Sequence, residues 1–320
     1  MLGRTYAGVD GFCPLAVYLG SYGFCLELSL RPGPQHSVKD TDANLRRIVP
    51  MAQRLSAAGP KAALLLRLDA GFDSAALMDC LESMNPPADP EPTPDKPVSP
   101  GVDWIIKWNP RRADLAEIAA ERAALVADQP AEIAWEHPRV GKRLITWEQP
   151  VPVPKGRPAR RRVLRLVERT ISASGQHLIV PEYQLDGWTT SLPQRLDAQA
   201  IIGLYADHGT HEQFHAAFKT DLDLCRLPSG KFDTNALVCQ LAALTMNILR
   251  LMGQGGLLGP DAPVRHAAKR RRLKTVMQEL IYRAGRLIQS GRQLILGLGA
   301  NDRAAKVFAR LHGELYAASP

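Results

Sequence analysis

The spacing of apolar positions changes several times along the chain, and each change marks an element. Residues 14 to 30, PLAVYLGSYGFCLELSL, hold two apolar runs around a Gly/Ser turn, with alternation through Phe24, Leu26, Leu28 and Leu30. A two-stranded hairpin is expected there, ended by Pro32, Gly33 and Pro34. From 41 to 58 the period becomes helical through Leu45, Ile48, Met51 and Leu55, with Gly59 and Pro60 as the stop and Pro50 as a kink or late start. Residues 62 to 68, AALLLRL, form a short continuous apolar run of the kind a buried central strand uses. That strand delivers Asp69 at its C-terminal end, followed by Gly71 and a second helix over about 74 to 84.

Seven prolines between 85 and 101 exclude helix and central strand, so an extended linker or surface excursion is expected. Beyond it come short strand-like runs at 102–107, 131–135, 143–147, 162–170 and 177–180, and all five tryptophans fall between Trp104 and Trp188. From 193 onward the texture is helical: one helix or a helix pair over 199–220, a helix apolar nearly all round over 235–252, and a third over 267–296 carrying Leu273, Val276, Leu280, Ala284, Leu287, Ile288 and Leu294.

Composition narrows the class. With 45% hydrophobic residues in 320, the chain can bury an ordinary core, and neither a disulfide miniprotein nor a wholly disordered protein fits. No uninterrupted apolar run reaches the roughly 18 residues of a membrane span, and no charged-then-apolar leader opens the chain, so no membrane partner is expected. The cysteines (Cys13, Cys25, Cys80, Cys225, Cys239) are scattered, odd in number and without CxxC spacing, as free thiols in a reducing cytoplasm would be.

The formal charge of +8 changes the picture, because residues 260 to 320 hold twelve Lys and Arg against four Asp and Glu and so account for all of it. The cluster Arg265, Lys269, Arg270, Arg271, Arg272 and Lys274 suits a polyanion, and a second one lies at Lys155, Arg157, Arg160, Arg161, Arg162 and Arg165.

Two places could carry chemistry. Asp69 stands beyond the carboxyl end of a strand, where ligands of open α/β sheets collect; the alternative is a helix-capping Asp, a part for which Asp73 is better placed. Along 204–232, Tyr205, His208, Glu212, His215 and Lys219 share one stripe of an uninterrupted helix, with Phe214 and Phe218 turned to another side. The alternative is a solvated face. The two histidines lack the cysteine or acid pair of a recognisable zinc spacing.

The pattern Y-x(2)-H-x(3)-E-x(6)-K, met by Tyr205, His208, Glu212 and Lys219, resembles the signature around the catalytic glutamate of DDE transposases from bacterial insertion sequences, which usually has Arg where His208 stands. DHGTHEQFH, LDLCRLPSGKFDTNALV, TYAGVDGF, RPGPQHS, LLLRLDAGFDS and RRRLKTVMQELIYRAGRL together resemble the insertion sequence 1380 family, over almost the whole chain. The resemblance implies an α/β, RNase H-like mixed sheet with a β-rich insertion and a helical C-terminal part. Residues 1–84 would be the first part of that core, 85–101 the linker, 102–192 the insertion, 193–259 the second part with the Glu helix, and 260–320 the basic helical region.

The resemblance also implies the chemistry. Asp69 and Glu212 match the second and third acids of a triad that binds two divalent ions, Mg2+ or Mn2+, for phosphodiester cleavage and strand transfer. Tyr205, His208 and Lys219 would contact DNA phosphate, and Trp188 or Trp147 could stack on an unpaired base. Transposon ends and target DNA would be the partners, with a homodimer in a synaptic complex, in the bacterial cytoplasm on the nucleoid. The first acid and the family's N-terminal DNA-binding region have no counterpart: Asp10 is the sole acid before the hairpin, and GVDGF lies after the catalytic Asp in the family. A shortened copy of the enzyme is therefore expected. The alternative is a catalytically inactive DNA-binding remnant that can interfere with the intact transposase.

Overall fold

In a computed structural model of the chain, residues 3–5, 8–57, 63–85, 101–111, 113–129, 134–153, 159–259, 262, 266–298, 302 and 304–317 are described, His208 and Leu315 by their backbone alone. The anticipated linker and the positions of Lys155, Arg157 and Arg265 lie outside the described residues. The chain divides into two compact units: Met1–Gln35 with Gly209–Pro320 (unit 1), and His36–His208 (unit 2). Unit 1 contains eighteen Lys and Arg against ten Asp and Glu, so the whole +8 belongs to it, and unit 2 is neutral.

Unit 1 opens with β1 (Gly3–Arg4) and β2 (Asp10–Gly11), paired antiparallel, then the hairpin β3 (Leu15–Leu19) and β4 (Phe24–Ser29). Unit 2 follows in the order α1 (Thr41–Ala57), β5 (Leu64–Leu68), α2 (Ala75–Ser83), β6 (Val102–Trp108), α3 (Leu115–Asp128), β7 (Glu136–Arg139), β8 (Lys142–Val151), β9 (Arg160–Ile171), β10 (His177–Thr190) and α4 (Ala198–Ala206). The chain returns to unit 1 with α5 (Thr210–Ala216), α6 (Phe232–Leu257), α7 (Leu273–Val276), the hairpin β11 (Gly285–Ser290) and β12 (Gln293–Leu298), and α8 (Ala305–Ala317).

Unit 2 is a mixed six-stranded sheet in the order β5-β6-β10-β9-β8-β7, in which β5 and β6 run parallel and the other neighbours antiparallel. Alternation along the strands gives both faces an apolar set. On one face Trp104 and Ile106 pack with Leu45 and Val49 of α1 and Leu77, Met78 and Leu81 of α2. Further along, Ile145, Leu166 and Leu185 meet Ala119 of α3. On the other face Ile105, Val163 and Trp188 pack on Ile201 and Ile202 of α4. Arg160 of β9 is buried and pairs with both Asp79 and Glu82 of α2, which gives the covered charge two acceptors.

Unit 1 is organised by α6. Its inner side packs Cys239, Ala243, Met246 and Leu249 against Cys25 and Leu28 of β4 and Phe214 and Phe218 beyond. Asn247 completes the edge of β4 as another strand would: Cys25 N donates to Asn247 Oδ1 at 2.7 Å, and Asn247 Nδ2 donates to Cys25 O at 2.8 Å. Gln240 Nε2 donates to Leu28 O at 3.0 Å. Near the C-terminal end of α6, Gly253 and Gly256 let Val276 and Val307 approach so closely that an added Cβ would sit 2.8 and 2.9 Å from them.

The β3–β4 turn supplies a sharp test of this packing. Gly23 has φ +71, and a Cβ there would lie 2.4 Å from the buried Phe214 ring. Both the backbone conformation and the space exclude a side chain. Gly23→Ala is expected to cost about 2–4 kcal/mol, read as a lower urea midpoint at unchanged slope. A variant as stable as wild type would show that the hairpin does not seat on Phe214.

Much of the anticipated order is present: the hairpin, α1 with Pro50 inside it, β5, α2, the strands of 102–190 and the long helix α6. β5, expected as a buried central strand, stands at the edge of the sheet with its residues half-buried, and further expectations are corrected. Residues 134–135 precede β7 instead of forming a strand, and α3 is a helix within the β-rich stretch. The stretch 267–296 is not one helix: α7 runs into a π turn, Met277–Ile281, and the rest is the β11–β12 hairpin. The anticipated boundary between 84 and 102 is not a structural one, because β5 and β6 hydrogen-bond in parallel within one sheet. Separately, α6 is long and apolar enough to cross a membrane by length and composition, its apolar residues punctuated by Gln, Thr and Asn.

Candidate functional site

The expected site residues fall in both units, and each unit builds its own surroundings. In unit 2, β5 ends at Leu68 and the chain turns sharply through a 3-10 turn, Ala70–Phe72. Asp69 is exposed and caps that turn, its Oδ1 accepting from Gly71 N at 2.8 Å. The capping part thus falls to Asp69. Asp73 instead accepts from Asn109 N at 3.3 Å, and Ser74 stands at the start of α2.

The last turn of α4 is fastened beside this strand end. Arg67 Nη1 donates to Leu204 O at 2.8 Å, and Tyr205 Oη donates to Leu68 O at 3.4 Å. Burial pushes the Tyr205 phenol up to about 12, reinforced by the negative charges of Asp69 and Asp186. Its ring lies 6.2 Å from that of Trp188, which Arg165 covers at 5.2 Å. Asp186 is held by Lys107 at 3.0 Å and Arg165 at 3.7 Å. Asp69 and Tyr205 therefore do come together, as a neutral phenol beside a capping carboxylate.

The shared stripe does not survive. α4 stops at Ala206, a 3-10 turn at Asp207–Gly209 breaks the α-helical period, and after α5 the residues Ala217–Asp221 form a π turn. An added residue in that turn rotates Lys219 away from the line through Glu212. The reading of the His208 side chain lies outside the described residues. Glu212 and Lys219 are both exposed.

In unit 1, His215 faces the hairpin: Tyr18 Oη and His215 Nδ1 are 3.2 Å apart, and the Tyr18 ring lies 5.1 Å from Phe214 and 5.2 Å from His211. Burial pushes the Tyr18 phenol far up, aided by Cys25. Arg270 stacks on Phe214 at 4.5 Å while donating to Gln213 Oε1 at 2.7 Å and Ser21 O at 2.9 Å. Burial lowers the Arg250 guanidinium to about 10; Arg270 repels it further, and Asp221 and Tyr18 oppose the shift. The basic run was legible as charge, but nothing in the sequence showed that Arg270 would be spent on an aromatic face.

Trp188 is buried and Trp147 is half-buried beneath Arg122 at 4.5 Å, so neither offers a free face for base stacking. Asp10 lies exposed in the small β1–β2 pair opposite Arg4.

A pair of Mg2+ or Mn2+ ions takes several converging hard oxygen donors. Among the described residues no group of three or more His, Cys, Asp and Glu could hold a metal ion. Asp69 supplies one carboxylate in unit 2 and Glu212 one in unit 1, and the oxygen of Asp69 that accepts from Gly71 is already engaged. Among the described residues, neither unit by itself supplies the carboxylates of the expected two-metal centre. No protein-family model matches the sequence, and no curated protein matches it, so the function rests on these residues themselves.

Proposed function

We propose that this chain is a DNA-binding protein of the DDE transposase type, on an RNase H-like core, that grips the phosphate backbone without cutting it. The reading places it on nucleoid DNA in the cytoplasm, with transposon ends and target DNA as partners. The observation that carries it is the confinement of the whole positive excess to unit 1, the unit that also holds the Glu212 segment. Neutralising phosphates releases condensed counterions, so a one-sided excess of cations binds duplex DNA in a salt-dependent way. The transposase type rests on the Tyr205, His208, Glu212 and Lys219 pattern, and the loss of cutting on the incomplete set of metal donors among the described residues.

A nicking assay on supercoiled plasmid and on a duplex with insertion-sequence ends, in Mg2+ and in Mn2+, tests it. Duplex binding that falls steeply with salt is expected, with no strand breaks above those of Glu212→Gln and Asp69→Asn. Breaks that disappear in both variants would overturn the inactive reading and establish the active transposase. Absence of DNA binding at low salt would overturn both.

A further inference from the structure

Unit 1 leaves a long apolar ridge open on α6, besides the exposed Leu287, Leu294 and Leu296 of the β11–β12 hairpin. On α6, Leu237, Leu241, Leu244, Ile248 and Leu251 are between 48% and 61% exposed, whereas Asn235, Cys239, Ala243, Met246, Leu249 and Gly253 are buried on the opposite side. The open positions are separated by four, three, four and three residues. Two consecutive heptads with Leu237, Leu244 and Leu251 at one seam position, and Leu241 and Ile248 at the other, form the seam of a coiled coil. Such a row stays in register with a second helix wound against it, because each knob needs a hole made by four residues of a neighbour.

The occupant follows from charge and area. Between Asp233 and Arg250 the helix carries no charge, and the positions flanking the seam (Val238, Gln240, Thr245, Asn247) are neutral. Flanking charges normally choose a different partner or reject an identical one. Here nothing does either, and the positive excess of the chain lies off this helix, in residues 260–320. The ridge spans about 21 Å at 1.5 Å per residue. Five half-open aliphatic side chains present on the order of 500 Å2. Two copies together then bury on the order of 1,000 Å2, the lower end of a specific interface.

We infer that α6 is a homodimer interface, formed by the same ridge of a second copy of this chain across a two-fold axis. The inference does not rest on the DNA-binding reading and holds whether or not the chain meets DNA. Sedimentation velocity of the full chain from about 1 to about 100 μM is expected to show a monomer–dimer equilibrium in the micromolar range. Leu241→Lys with Ile248→Lys, both on the open side, should weaken the dimer at least tenfold while leaving the circular dichroism spectrum unchanged.

Cysteine crosslinking provides a readout independent of that variant's stability. In a Cys225→Ser background, which removes the exposed native thiol, Leu244→Cys should give a disulfide-linked dimer on mild oxidation, and the exposed Val140→Cys should not. A chain that stays monomeric at the highest concentration, a dimer indifferent to the two lysines, or equal crosslinking at both cysteines overturns the inference. So does flotation of wild type with phosphatidylcholine vesicles that the lysine variant does not join, because the ridge would then face lipid.

Discussion

Replacing Trp104 with alanine is expected to destabilise unit 2 by about 3–5 kcal/mol, a large part of what holds an ordinary domain together. Trp104 is wholly buried at the centre of the cluster that joins the sheet to α1 and α2, touching the set that includes Leu45, Val49, Leu77 and Leu81. Its backbone is fixed on both sides: Leu66 of β5 is its register partner, its carbonyl accepts from Thr190 Oγ1 at 2.7 Å, and its N–H donates to Ser191 Oγ at 2.9 Å. With the main chain held, neighbouring side chains cannot collapse into the space and a cavity remains. The indole Nε1 is buried without a hydrogen-bond partner. Trp104→Phe gives up less volume and also removes that orphaned donor, so it should cost only about 1–2 kcal/mol. Urea unfolding followed by circular dichroism measures both. An alanine variant within about 1 kcal/mol of wild type would mean that α1 and α2 do not rest on this side chain.

Elements whose apolar period had a single reading were legible in the sequence. The run LLLRL formed as a strand, β5, but at the edge of the sheet with its residues half-buried and not at the centre. PLAVYLGSYGFCLELSL, with its Gly/Ser turn and partial alternation in the second half, formed as β3–β4. The stretch 285–298, expected as part of a helix, is a hairpin. Leu287, Ile288, Leu294 and Leu296 fit a helix as well as a strand pair, and the deciding feature is the Ser290–Gly291–Arg292 turn, where Gly291 takes φ +58. A left-handed glycine between matched apolar runs selects a hairpin. The helix α3 had a local signal that its strand-like surroundings obscured: Asp114 accepts from Ala116 N and Glu117 N, and an Ala- and Glu-rich stretch follows.

The candidate site was legible to a lesser degree, for a physical reason. Spacing along a helix fixes which side chains share a face only while the period holds, and the 3-10 turn at Asp207–Gly209 and the π turn at Ala217–Asp221 both break it. The proximity of Asp69 and Tyr205 depends on Arg67 and Tyr205 fastening α4 to the end of β5, contacts about 137 positions apart in the chain that no local pattern encodes. Likewise, the basic run announced its charge but not its division of labour. Arg271 is buried against Leu257 O, Arg270 lies on Phe214, and Arg272 pairs with Asp221 at 2.8 Å, so three of the run's arginines hold unit 1 together.

That division sets the largest expected effect on binding. Lys269, Lys274, Arg286 and Arg292 are exposed on unit 1, and their ammonium and guanidinium groups can reach phosphate without disturbing the buried arginines. Changing all four to alanine should weaken binding to a duplex about 100-fold at low salt and flatten the dependence of log K on log salt by about three to four units, because each lost phosphate contact removes close to one released counterion. The fold should survive, since none of the four is buried. Fluorescence anisotropy at several salt concentrations reads affinity and slope together. The matched control is Arg46, Arg47 and Arg54 of α1, exposed on the neutral unit 2, where the same neutralisation should change affinity less than threefold. If both sets lower affinity and slope alike, the localised charge of unit 1 does not choose the DNA-facing surface, and the backbone-gripping function loses the observation on which it stands.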